Sequence, residues 1–196
     1  MNFLAHCFLS GPHEEVLIGN FIGDHVKGNK LMDYPEAVVA GIRLHRQIDS
    51  FTDSHPVVEQ SKKRVRPRFR KYAPVIVDMY YDHLLARNWP LYSQIELKAY
   101  AAGVYKLLGQ QKEILPERTL RMLPHFTRHD WLSGYASLDG LDNVLHGMAR
   151  RTSFKSNMEQ AAPFLELHYE EFGVEFQLFF PELQHFVMQQ LQKAGF

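Results

Sequence analysis

The chain has 196 residues, 45% hydrophobic and 13% aromatic, which is enough for a substantial core and too apolar for a disordered segment. Its 22 Lys and Arg balance its 22 Asp and Glu, so attraction of the whole surface to nucleic acid or membrane is excluded, and only a local patch can recruit a charged partner. The single cysteine, Cys7, rules out an intramolecular disulfide framework and suits a reducing compartment; with no leader of secretory type and no apolar run near ~20 residues, the expectation is a cytoplasmic protein.

Asn2–Ser10 reads as a short buried helix, apolar almost all round except at His6 and stopped by Ser10-Gly11-Pro12. His6 there is a metal ligand, a partner of one, or a core histidine bonded to backbone, and the segment alone leaves all three open. Glu14–Asp24 follows, with Leu17, Ile18, Phe21 and Ile22 as its apolar stripe and with Asn20 and Asp24 four apart. A carboxylate at the C-terminal end of a helix opposes the macrodipole and calls for a cation, which singles out Asp24. Lys27-Gly28 then make a cationic turn of close approach that suits a phosphate.

Pro35 fits the first turn of a third helix. In it Val38, Val39, Ile42 and Ile48 recur at helical spacing, so the first two-thirds of Gly41–Pro56 is helix. Residues four apart lie above one another, which stacks His45, Asp49 and Asp53 in a polar column one turn beyond Gly41. Ile42 and Ile48 flank that column, so it faces core or cleft, where carboxylates are costly unless neutralised. A divalent metal would neutralise them, and mixed His and Asp donors suit Mn, Fe or Zn better than Ca. A structural His–Asp pair capping the helix end is the plain alternative.

Thr52, Asp53 and Ser54 end that helix ahead of Pro56. Lys62–Lys71 is a basic run without an acidic residue, either a solvated connection or a dock for an acidic partner. Tyr72–Trp89 is a long helix on which Asp78 and Asp82 stack and His83 adjoins the second of them. Leu91–Leu108, Glu117–Asp130 (kinked or divided at Pro124) and Ser137–Arg151 follow as helices. Glu159–Phe172 and Pro181–Ala194 close the chain as two helices separated by Gly173, with Phe176–Phe180 read as a turn or helix start. The expectation is an all-α fold, a single domain over residues 1–196 built as a bundle of about eight helices. Several of these helices aim a His or Asp inward, and one shared site is a common reason for that.

Met1-Asn2-Phe3-Leu4-Ala5-His6, Gly19-Asn20-Phe21-Ile22-Gly23-Asp24 with Val26-Lys27-Gly28, the block Leu44–Pro56, and Asp78-Met79-Tyr80-Tyr81-Asp82-His83 through Trp89 together resemble the acyl carrier protein phosphodiesterase family. The resemblance spans the chain and is densest over Met1–Trp89. It implies a divergent, HD-phosphohydrolase-like helical hydrolase that removes 4′-phosphopantetheine from holo-acyl carrier protein, leaving the apo form, with metal-activated water attacking the phosphodiester. The adjacent His-Asp doublet that names the HD enzymes is absent from these motifs; the doublet Asp82-His83 runs in reverse order. The ligand set is therefore drawn from helix spacing as much as from the resemblance: Asp24, His45, Asp49 and Asp82 first, with Asp78, His83 and His6 as alternates. Mn²⁺ is the first metal, with Mg²⁺ or Fe²⁺ as alternatives. Lys27 and Arg46 are the candidate phosphate partners, one a point charge and the other a planar fork. Carrier proteins of this kind are strongly acidic, which gives Lys62, Lys63, Arg64, Arg66, Arg68 and Arg70 a use as a docking strip. Two rivals stay open: an HD-like enzyme acting on a nucleotide or small phosphoester, and a non-enzymatic basic helical module that binds nucleic acid.

Overall fold

Where the second and third helices cross, neither can carry a side chain at the crossing point. A methyl group on Gly19 would overlap the Val38 carbonyl oxygen and lie 2.9 Å from Gly41 Cα, and one on Gly41 would overlap the Val16 carbonyl. The pair of glycines lets the two backbones meet directly, and the rest of the chain is laid around that contact. The computed structural model describes the backbone of residues 1–196 and the side chains of all but Asn29 and Met32.

The elements are α1 (Phe3–Leu9), α2 (Glu14–Ile22), α3 (Glu36–Ser54), α4 (Pro56–Phe69), α5 (Ala73–Arg87), α6 (Leu97–Gln110), α7 (Glu117–Arg128), α8 (Trp131–Gly134), α9 (Leu138–Arg151), α10 (Ala161–Leu167) and α11 (Tyr169–Lys193), joined in part by single turns of 3₁₀ helix. No strand occurs among the described residues. The all-α expectation holds; the four residues of α8 are too few to show a period, and the helix expected over Glu159–Phe172 is divided at His168 into α10 and the start of α11. The buried apolar side chains form one continuous core, in which Phe3, Phe21 and Phe126 tie α1, α2 and α7 together and Tyr81, Phe176 and Phe179 tie α5 to α11.

Several boundaries differ from the sequence reading; the helix expected from Leu91 starts only at Leu97. α11 runs unbroken through Gly173 and Pro181, so Phe176–Phe180 is the middle of a helix. A glycine costs a helix about 1 kcal/mol and an interior proline about 3. Burial of Phe172, Phe176, Phe179, Phe180, Leu183 and Val187 along one face outweighs both. In the same way α4 and α7 pass through Pro67 and Pro124 without dividing.

Gly41→Ala should force α2 and α3 apart, and overpacking of this kind costs about 1–3 kcal/mol. A thermal melt should show a drop of several degrees. Gly103→Ala on α6, where the added methyl meets nothing within 4 Å, should leave the melting temperature unchanged or raise it.

Candidate metal centre

The close crossing brings Asn20, on α2, against His45, one turn beyond Gly41 on α3. The His45 Nδ1–H donates to the Asn20 carbonyl oxygen at 2.7 Å. The side chain of the same asparagine faces α1, where its Oδ1 accepts from His6 Nδ1 at 2.7 Å and its Nδ2 donates to the His6 carbonyl at 2.8 Å. The two imidazoles stack with centroids 4.0 Å apart. Gly23 gives the second ring its room, because a methyl group there would overlap the His45 ring. With both Nδ1 atoms occupied as donors, each ring turns its Nε2 to the same spot, and Nε2 is the atom through which the neutral ring would ligate a metal.

Both Nε2 atoms point at one carboxylate. Asp49 Oδ1 lies 3.2 Å from His6 Nε2, and Asp49 Oδ2 lies 3.2 Å from His45 Nε2. Asp24 reaches the same spot from the turn after α2, its Oδ1 3.4 Å from His45 Nε2, with its side chain otherwise 79% exposed. His6, His45 and Asp49 thus offer three donor atoms within 4.8 Å of one another. His45 Nε2 is buried, and the groups facing it are the Asp49 and Asp24 carboxylates. Two imidazole nitrogens and a carboxylate converging on one buried spot are a donor set that suits a divalent cation, so the residues present fit the metal that the sequence implies.

The charges agree. Burial depresses the His6 pKa, and the charge of His45 lowers it further, keeping that ring neutral. At His45 burial works the same way, but hydrogen bonding and charge from Asp24 and Asp49 outweigh it and lift the pKa to about 9. Burial alone would raise Asp49, yet His45 and His6 hold its carboxyl far below the usual range, and contact with His45 lowers Asp24 too. A proton on His45 therefore holds the place that a cation would take.

Residues 1–183 match the family described as acyl carrier protein phosphodiesterase. The chain belongs to the acyl carrier protein phosphodiesterase family. Curated relatives bearing that name include proteins from Pectobacterium atrosepticum, 34% identical over 93% of this chain and 95% of the relative, and from Photorhabdus laumondii subsp. laumondii, 36% identical over 92% of each. A third, from Shigella boydii serotype 4, is 35% identical over 93% of this chain and 95% of its own length. No solved structure matches the chain.

Within this phosphodiesterase-family chain the remaining candidates go elsewhere. Asp82 was expected among the first ligands, but its carboxylate is fully buried and accepts from the amides of Asn2, Leu4 and Ala5 at 3.2, 2.8 and 3.3 Å, so it caps the start of α1. Burial pushes its pKa up to about 7 against the pull of those amides and the nearby N-terminal ammonium. His83 bonds the Tyr135 carbonyl through Nδ1 and the Tyr169 hydroxyl through Nε2, a satisfied core histidine. Asp78 pairs with the Met1 ammonium at 3.0 Å, and that ammonium lies 3.8 Å from Asp49, at the edge of the cluster. Asp53 leaves the polar column to pair with Lys62. Arg46 donates to the Val26 carbonyl at 3.1 Å, which tethers its guanidinium beside the turn that carries Asp24, and Lys27 is exposed on the same turn. Asn20 is the residue whose part was missed: its spacing to Asp24 was noted, whereas its contacts are with the two histidines.

The basic run also differs from its reading. Lys62 is 6% exposed and bonds Asp53 at 2.6 Å, and Arg64 bonds both carboxylate oxygens of Glu175 at 2.7 Å. Arg66 pairs with Glu59, and Arg68 donates to Gln160. Only Lys63 and Arg70 of the six are exposed cations with no hydrogen bond or ion pair among the described residues. Two members of the run, Lys62 and Arg64, are fastened internally by acidic partners from α3 and α11, while Lys63, Arg66, Arg68 and Arg70 are exposed.

Two outcomes follow from this geometry. Mn²⁺ entering the cluster at pH 7.5 should release about one proton from His45, seen by titration calorimetry as a heat that depends on the ionisation enthalpy of the buffer. The sign is set by the raised pKa: apparent affinity should climb as pH rises toward about 9 and level off above it. Asp82→Ala should strand the buried amides of Leu4 and Ala5 and the half-buried one of Asn2 and lower stability by about 1–3 kcal/mol, while the number of Mn²⁺ ions bound per folded chain stays the same.

Proposed function

We propose that this chain hydrolyses the phosphodiester linking 4′-phosphopantetheine to holo-acyl carrier protein, releasing 4′-phosphopantetheine and the apo-protein. The observation that carries the reading is the convergence of His6, His45 and Asp49 on one point in a chain of this family. Such a diester is slow to hydrolyse, because its charge repels anionic nucleophiles and its alkoxide is a poor leaving group. A divalent cation supplies, when bound, a water nucleophile at neutral pH and positive charge for the phosphoryl oxygens. We take it to be Mn²⁺, with Fe²⁺ or Mg²⁺ as alternatives, since imidazole and carboxylate donors together suit first-row ions.

The residues of the chain divide the work. His6, His45 and Asp49, with Asp24 from its exposed turn, would hold the cation. Asn20 holds both imidazoles by Nδ1, so each Nε2 already faces the place of the ion and only the proton on His45 must leave when it arrives. Arg46 and Lys27 stand beside that turn and offer cationic partners for the phosphate oxygens. Cys7 takes no part as a nucleophile, since burial pushes its thiol far above the usual range; the attacking oxygen comes from solvent. An HD-phosphohydrolase-like arrangement and a cytoplasmic location belong to this reading. No described helix is long and apolar enough to cross a membrane.

The test is the mass of holo-acyl carrier protein after incubation with the purified chain and Mn²⁺. In ¹⁸O-water the label should appear in 4′-phosphopantetheine and not on the carrier, and EDTA should abolish turnover. Asn20→Ala should cost about 10–100-fold in metal affinity or activity, as loss of an outer partner does, and Asp49→Ala more. A carrier left heavier than apo by one phosphate, EDTA-insensitive turnover, or a nucleotide consumed while holo-carrier is untouched would each overturn the reading.

A further inference from the structure

We propose that the acidic carrier protein docks on the exposed face of α7 and not on the basic run of α4. This rests on the function proposed above and names the surface that would serve it.

α7 carries Arg118, Arg121, His125 and Arg128, spaced three, four and three apart. At 3.6 residues per turn these fall within about 80° of arc and extend roughly 15 Å along the helix. All four are exposed, while Thr119, Leu123 and Phe126 fill the opposite, buried face. His129, stacked at 6.4 Å on His125, continues the stripe by one residue. Glu117 is the only acidic residue of the helix, and its 3.2 Å pair with Arg121 is exposed on both sides. Exposed pairs of this kind hold their partners weakly, so the stripe keeps its charge. On α4, by contrast, the buried Lys62 and the chelated Arg64 are already matched by Asp53 and Glu175.

The stripe also begins at the site. Thr119, beside Arg118, bonds His25 Nδ1 through its hydroxyl at 2.6 Å, and His25 follows Asp24 in the turn that lines the metal cluster. Lys27 and Lys30 are exposed just beyond. Phe126 clamps α7 to α1 and α2, with rings 5.2 Å from Phe3 and 5.3 Å from Phe21, so the stripe is fixed relative to the cluster. A rigid cationic ridge that starts at the reaction centre suits an acidic helix whose phosphodiester must enter that centre. Such complementarity acts on association and fades with salt.

The experiment compares two triple variants with the parent chain: R118E/R121E/R128E on α7 and K63E/R66E/R70E on α4. Two quantities are read for each: the affinity for fluorescently labelled holo-acyl carrier protein, and kcat/KM on that protein at low and high salt, set against Mn²⁺-dependent hydrolysis of bis(4-nitrophenyl) phosphate. The α7 variant should lose about 10- to 100-fold in carrier affinity and in kcat/KM at low salt, through KM, converging with the parent as salt rises. That loss should exceed any loss on the small diester at least tenfold, whereas the α4 variant should stay within about threefold of the parent. R118Q/R121Q/R128Q gives a milder form of the same result if charge reversal disturbs folding. Equal losses in the α4 variant, an α7 variant that binds carrier like the parent, or an α7 loss shared in full by the small diester would overturn the proposal. So would an α7 stripe that binds duplex DNA in steep dependence on salt while carrier binding ignores it. If the parent binds carrier through α7 yet never cleaves it, the docking surface stands and the proposed reaction falls; if it cleaves carrier while α7 is indifferent, the reverse holds.

Discussion

One asparagine holds this site together. Asn20 turns its backbone carbonyl to His45 on α3 and its side chain to His6 on α1, so three helices meet at a single residue of α2. The hold is possible only because Gly19, next to it, brings the α2 backbone onto α3 at Gly41, and because Gly23 leaves space for the His45 ring. Removing side chains at three points of the crossing places two imidazoles in a stack whose free nitrogens share a carboxylate. Packing and chemistry are not separable here: the helix approach that closes the core is the one that aligns the donors.

How much of this could be read from the residues depends on which relation was local. His45 and Asp49 lie one turn apart on one helix, so their common face follows from the helical period alone. The unfavourable helix-end position of Asp24 was a local signal too, and the structure brings that residue to His45. His6 was left open among three readings, since nothing in its own segment says what stands opposite. Asp82 shows the limit of the method. An inward carboxylate on an apolar helix looks the same whether it faces a cation or the amides of another helix, and the amides of Asn2, Leu4 and Ala5 are a relation between distant segments. The basic run shows the same limit: ten residues without an acid read as free charge, but Asp53 and Glu175, from α3 and α11, take up Lys62 and Arg64.

The all-helical class was legible because helical spacing of apolar residues dominates the chain. The continuity of α11 was not. Gly173 and Pro181 are local punctuation, and local punctuation is overruled when a row of phenylalanines needs one straight helix to reach the core. No adjacent His-Asp pair occurs in the motifs that carry the resemblance. The histidine and aspartate donors are assembled instead from α1 and α3, with a further carboxylate from the turn after α2.

The cap that Asp82 places on α1 has a consequence for how that helix finds its place. A helix of seven residues has too few internal bonds to persist alone in water. The amide of Leu4 is secured by a carboxylate 78 positions further along the chain. The place of α1 is thus set by a contact with α5, far along the chain, and not by its own hydrogen bonds. His6 travels with α1. The meeting of His6 with His45 and Asp49 therefore depends on a closure between distant segments as well as on the period of α3.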